Sequence, residues 1–172
     1  MFLREIISMG FSETELLKRI GNALEKAGKT LSSAESCTGG LLGMLLTSIP
    51  GSSKWYKGGV IAYSNIVKTD LLNVSPSLIK KNGAVSSETA RAMAVGVRKL
   101  TGTDMSISVT GIAGPGGGTA KKPVGTVWMV VCSEQSITAE MKRFSGKRDV
   151  VRRAAADYLL AELCARLEKE VK

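Results

Sequence analysis

The sequence predicts an α/β domain, a three-layer α/β/α sandwich around a partly mixed sheet. Three observations carry that expectation. Stretches with apolar residues at helical spacing interleave with short β-favouring runs, the pattern of helices layered on a sheet. Several of those runs empty into glycines and small polar residues, as strand ends do in open α/β sheets. The last two strand candidates are separated only by the polar residues 133–136, which reads as a hairpin and brings antiparallel pairing into the sheet. No internal repeat or low-complexity linker divides the 172 residues, so one domain over 1–172 is expected.

In chain order, residues 12–27 carry Leu16, Leu17, Ile20, Ala23, Leu24 and Ala27 on one helical face. Ser12 with Glu15 forms a capping box, and Gly28 is a C-terminal stop. Residues 30–34 read as a strand that turns sharply at Ser36, Cys37 and Thr38 into a helix ending near Pro50-Gly51. Residues 52–56 are a connector, and 58–64 a strand that delivers Tyr63, Ser64, Asn65 and Lys68 past its end. Short helical pieces follow at 68–72 and 76–81, then a helix over 88–100 whose alanines imply close packing. Residues 105–110 form an apolar strand leading into the glycine-rich run 111–118. Strands at 124–132 and 137–144 and a long helix over 149–169 complete the chain.

Composition narrows the chemistry. An apolar fraction of 44% and a near-neutral mean hydropathy suit a folded domain with a substantial core. No apolar run approaches the roughly 18 to 20 residues that span a membrane. The charged start Met1-Phe2-Leu3-Arg4-Glu5-Ile6-Ile7 lacks the apolar segment of a signal peptide, so a cytoplasmic location is expected. The chain has no histidine, which removes Ser-His-Asp, Cys-His and most zinc chemistry. Three scattered cysteines make neither a disulfide framework nor a metal site, and no metal or cofactor is expected. A net charge of +9 favours anionic partners. With aromatics at only 5%, base-stacking platforms are scarce, so a phosphorylated small molecule fits better than nucleic acid.

Three polar clusters at strand ends (36–38, 63–68 and 110–118) would converge on one crevice. Ser36 at a helix start would sit beside backbone N–H groups able to stabilise an oxyanion, though Ser and Thr also serve there as ordinary caps. Without histidine, Lys68 is the leading activator of Ser36, provided burial or a nearby cation lowers its pKa; the alternative is a solvated surface lysine. Cys37 is a rival nucleophile. Tyr63 either relays protons or packs at the sheet edge, and Arg148 either binds phosphate or lies on a solvated helix face. The glycine run matches neither the phosphate loop nor the dinucleotide fingerprint, because Pro123 and a strand follow it where both motifs need a helix.

The motifs Ala34-Glu35-Ser36-Cys37-Thr38-Gly39-Gly40, Pro50-Gly51-Ser52-Ser53, Tyr63-Ser64-Asn65 with Lys68, and Gly83-Ala84-Val85-Ser86 occur in order. They continue through Thr110-Gly111-Ile112-Ala113-Gly114-Pro115-Gly116-Gly117 and Lys122-Pro123-Val124-Gly125-Thr126-Val127. In these the chain resembles the CinA C-terminal domain family, which includes stand-alone nicotinamide-nucleotide amidohydrolases of the PncC type, from about Ser12 onward. The resemblance implies hydrolysis of the carboxamide of nicotinamide mononucleotide to nicotinate mononucleotide and ammonia. It implies Ser36 as nucleophile, Lys68 as base and Tyr63 as an assisting group. Cys37, Thr38, Gly39, Thr110, Gly111 and Arg148 would contact the substrate. A separate N-terminal pyrophosphatase domain of full-length relatives is not expected in a chain of this length. Where the family tends towards Gly-Asp-Arg, this sequence has Gly146-Lys147-Arg148, which makes that patch more basic. A phosphorylated nucleotide is thus the expected partner, and a homo-oligomer the expected assembly. A non-catalytic nucleotide-binding domain is the leading alternative, ahead of nucleic-acid binding.

Overall fold

A computed structural model describes residues 12–170; the charged N-terminal start read above lies outside them. The elements are α1 (Glu13–Ala27), β1 (Leu31–Glu35), α2 (Leu41–Thr47), a 3-10 turn (Ser52–Lys54), β2 (Tyr56–Ile61), α3 (Asn65–Asp70), α4 (Pro76–Asn82), α5 (Ser87–Thr101), β3 (Met105–Gly111), β4 (Thr126–Ser133), β5 (Ile137–Arg143) and α6 (Arg148–Glu170). The sheet runs β2-β1-β3-β4-β5. β2, β1 and β3 are parallel, while β4 and β5 are added antiparallel, so the sheet is mixed as expected.

Side-chain alternation along the strands builds the two outer layers. On β3, Met105, Ile107 and Val109 point into the larger core, with residues of α1, α2 and α6. Ser106 and Ser108 point the other way and donate to the carbonyls of Ala94 and Ala90 on α5. Those two bonds satisfy buried hydroxyls and let the alanine-rich face of α5 lie close on the sheet. Ala34, Ala62, Leu72, Val74, Met93 and Val97 fill the second core beneath α3, α4 and α5. Among the described residues, no helix is long and apolar enough to cross a membrane.

Three boundaries differ from the sequence reading, each for a local reason. The helix after β1 starts at Leu41 rather than at the Ser36 turn, because Gly39 and Gly40 adopt left-handed backbone (φ 61° and 97°) that interrupts helical geometry. β2 ends at Ile61, since Ser64 leaves the sheet to cap α3 with its Oγ, which accepts from the Val67 N–H at 3.3 Å. Consequently α3 begins at Asn65, and Lys68 lies inside a helix rather than at the start of one. β4 begins at Thr126, one residue after Gly125 turns with φ 90°.

This topology fixes where a site can form. From β1 the chain crosses one face through α2 to β2; from β2 it crosses the other face through α3, α4 and α5 to β3 on the far side of β1. The carboxyl end of β1 is therefore a switch point, where connections leave towards opposite faces and a crevice opens.

Candidate active site

Alternation carried past the end of β1 sends neighbouring residues in opposite directions. Glu35 goes beneath α2 and Ser36 goes to the α3 side. Ser36 is held to the sheet by its N–H, which donates to the Val109 carbonyl at 3.0 Å. It is 8% exposed, and Lys68 only 1%. Lys68 Nζ donates to Ser36 Oγ at 3.0 Å, to the Ala62 carbonyl at 2.7 Å and to the Tyr63 carbonyl at 3.3 Å. Burial lowers the Lys68 pKa from its ordinary value, and among the described residues no carboxylate forms an ion pair with it. The neutral amine has two hydrogens and one lone pair. Once deprotonated, with its hydrogens on the two carbonyls, it would turn that lone pair to Ser36 Oγ and reverse the contact in which Nζ is now the donor.

The pair opens onto a cavity of about 270 Å³ whose wall also includes Cys37, Tyr63, Asn65, Thr110, Gly111 and Arg148. Thr110 is buried, and its hydroxyl donates to the Ala84 carbonyl at 2.8 Å, tying the end of β3 to the segment before α5. Lys122 secures that segment from the glycine-rich loop by donating to the carbonyls of Asn82 and Val85 at 2.8 and 2.7 Å. The loop is thus a braced wall of the crevice. Tyr63 is 60% exposed, and its hydroxyl accepts from Arg148 Nη2 at 2.9 Å; Arg148 Nη1 donates to the Gly114 carbonyl at 2.9 Å. Together the two residues bridge the cavity mouth.

Two of the expected contacts, the Thr38 side chain and Gly39, do not line this cavity. Thr38 is fully buried, and its hydroxyl donates to Glu35 Oε2 at 2.7 Å. Gly39 spends its N–H on the Ser36 carbonyl at 3.2 Å. The start of α2 is not available to an oxyanion, because the Glu35 carboxylate accepts from the N–H groups of Gly40 (2.9 Å), Leu42 (3.1 Å) and Gly43 (2.8 Å). Next along the chain from Ser36, the N–H groups of Cys37 and Thr38 bond to no other residue among those described, and Cys37 lines the cavity. Cys37 reaches the cavity wall, but burial pushes its thiol pKa up to about 12, which removes the thiolate a cysteine nucleophile needs.

Sequence reasoning missed Glu35 and Arg152. Glu35 is 2% exposed and collects four donors. A buried glutamate directly before a Gly-Gly pair and a helix start was the available signal. Arg152 donates to the Thr38 carbonyl from Nη2 at 2.5 Å and from Nε at 3.2 Å. Its signal was its position one turn beyond Arg148 on the same helix face. Next to the polar cavity lies a second one of about 740 Å³, sharing Ala113 and Arg148 and lined further by Lys147, Asp149 and Arg152. Among the described residues, no group of acidic residues and cysteines could hold a metal ion.

Comparison with known proteins agrees with this architecture. The sequence profile of the CinA C-terminal domain matches residues 13–167. A CinA-like protein of Desulfotalea psychrophila is 47% identical over 151 residues, covering 88% of this chain and 37% of the relative. A CinA-like protein of Parasynechococcus marenigrum is 50% identical over 139 residues, covering 81% and 33%. The chain therefore spans about a third of the length of these curated relatives. Among solved structures, a competence-damaged protein (CinA) superfamily member from Klebsiella pneumoniae superposes with a TM-score of 0.88 at 33% identity, covering 92% of this chain and 99% of that one. A competence/damage inducible protein from Agrobacterium tumefaciens gives a TM-score of 0.80 at 37% identity, covering 92% and 93%. With the mixed five-stranded sheet, these matches show that the chain belongs to the CinA C-terminal domain family.

Proposed function

We propose that this domain hydrolyses the carboxamide of nicotinamide mononucleotide, with Ser36 as nucleophile and Lys68 as base. The observation that carries the reading is the buried 3.0 Å contact between Lys68 Nζ and Ser36 Oγ, opening onto a polar cavity. In a chain without histidine, a desolvated lysine is the base that can serve a serine. The adjoining chamber supplies Lys147, Arg148 and Arg152 for the phosphate, and guanidinium groups match phosphate in geometry and charge.

In this reading the carboxamide enters the smaller cavity with its oxygen towards the N–H groups of Cys37 and Thr38. Ser36 Oγ attacks the amide carbon while its proton passes to the neutral Lys68 amine. Charge accumulates on the amide oxygen, where the two N–H groups stabilise it. The tetrahedral intermediate collapses by breaking the C–N bond, and Lys68 returns the proton to the leaving nitrogen, which departs as ammonia. A water then attacks the ester carbon as Lys68 takes one of its protons. The C–Oγ bond breaks, Ser36 recovers a proton from Lys68, and nicotinate mononucleotide leaves as the carboxylate after its acid proton passes to the released ammonia or to water. Arg148, holding Tyr63 at the cavity mouth, stands where the substrate's ribose would cross between the two chambers.

An ammonia-release assay on nicotinamide mononucleotide tests the proposal. The expected result is turnover by the wild type and a loss on the order of 10⁴-fold or more in Ser36→Ala, with substrate still bound. Undiminished release by Ser36→Ala would sink the assignment.

A further inference from the structure

The two chambers meet at Arg148 and Ala113, but a second residue links them in a different way. Arg152 lines the larger chamber and is half-buried, and it holds the turn that carries Ser36. Two of its N–H groups converge on the Thr38 carbonyl. Its Nη1 group donates to no residue among those described. The guanidinium packs against the turn closely enough that a Cβ on Gly39 would lie 3.4 Å from Nη2. Thr38 lies two residues beyond Ser36, and its own N–H bonds to no other residue among those described. A guanidinium can keep a carbonyl on one edge while binding an anion on another, because its five N–H groups radiate in one plane.

We infer that Arg152 couples occupancy of the larger chamber to the alignment of the Ser36 turn, so that the substrate's phosphate raises turnover as well as affinity. This rests on the amidohydrolase reading above. Among the described residues, the guanidinium is hydrogen-bonded through Thr38 alone. A phosphate on its free edge fixes it from both sides, and with it the Thr38 carbonyl and the turn that carries Ser36 and Cys37. The ligand class is a phosphate monoester one ribose away from a carboxamide. Binding energy from this non-reacting end is then spent on aligning the reacting end, which appears in kcat rather than in KM alone. Arg152 is thus a positioning residue for Ser36, distinct in role from Lys147, which attracts the anion, and from Arg148, which also bridges the cavity mouth through Tyr63.

The experiment measures kcat and KM separately for nicotinamide mononucleotide and for nicotinamide riboside, which lacks the phosphate. Wild type, Arg152→Gln and Arg152→Lys are compared. The wild-type kcat is expected to be at least about tenfold higher on the mononucleotide than on the riboside. In Arg152→Gln that ratio falls towards one, whatever common loss both substrates share. Arg152→Lys, which keeps the charge but not the fork, recovers KM for the mononucleotide and leaves the kcat ratio low. A wild-type ratio near one, or a high ratio preserved in Arg152→Gln, would overturn the inference while the amidohydrolase reading stands. If the wild type releases no ammonia from the mononucleotide, the amidohydrolase reading itself fails, and the coupling with it.

Discussion

The turns that follow β1 and β2 bring the two halves of the candidate site together by opposite means. After β1, residues 35–40 fold around ionic side chains. The Glu35 carboxylate gathers three backbone N–H groups and a hydroxyl from below, and Arg152 takes the Thr38 carbonyl from above. After β2, residues 62–64 use almost no side chains. The carbonyls of Ala62 and Tyr63 point at Lys68 Nζ, and Ser64 caps the helix that carries it. The turn carrying the nucleophile is held by charged side chains, whereas the base is held by neutral dipoles that accept its hydrogens in either protonation state. A fixed charge beside Lys68 would have set its pKa; carbonyls and burial leave it free to exchange a proton.

The sharpest way to break that contrast is at Lys68. Lys68→Met is expected to lower kcat by about 10³-fold, within the range for loss of a general base. In the wild type, kcat/KM should rise with pH through a value below the ordinary lysine pKa of 10.5, as the buried amine loses its proton. The sign for stability follows from the same shift. The folded-state pKa is depressed, so the folded protein binds fewer protons than the unfolded chain between the lowered value and 10.5. Wild-type stability relative to Lys68→Met should therefore climb with pH across that window and level off above it. Parallel denaturation curves for the two proteins at each pH check this, and a pH-independent difference would mean that the lysine is not desolvated.

A smaller effect is expected on the other side of the comparison. Glu35→Gln keeps the side chain's length but removes the charge that accepts four bonds, and turns two of its acceptor sites into donors facing N–H groups. The predicted cost is about 3 kcal/mol of stability, measured by urea denaturation. Displacement of Ser36 should lower kcat by about 10- to 100-fold with KM nearly unchanged. A drop in KM-level binding with kcat intact would assign Glu35 to the ligand instead.

The layer order, the mixed sheet and the meeting of strand ends were legible in the sequence because they follow from periodicity and punctuation, which are local signals. Ser36 was legible as part of a strand-to-turn motif. What sequence alone hid was the destination of particular side chains. Lysine is usually exposed, so nothing local marked Lys68 as buried; its burial comes from α3 starting at Asn65 and turning inward onto the end of β1. The helix start looked open to an anion, yet the anion was already in the chain as Glu35, one residue before the serine. The Thr38 side chain and Gly39, expected at the substrate, spend their hydrogen bonds within the turn itself. Arg152 could be seen on the face of Arg148, but its partner Thr38 lies 114 residues away, a distance no local pattern spans.

The most direct test of the central claim is to find the covalent intermediate. Wild-type protein mixed with nicotinamide mononucleotide is acid-quenched during turnover, digested and analysed by tandem mass spectrometry. The account predicts an ester linking the pyridine carbonyl to Ser36 Oγ, absent in Ser36→Ala. A thioester on Cys37, or turnover by Ser36→Ala without an adduct, would contradict it.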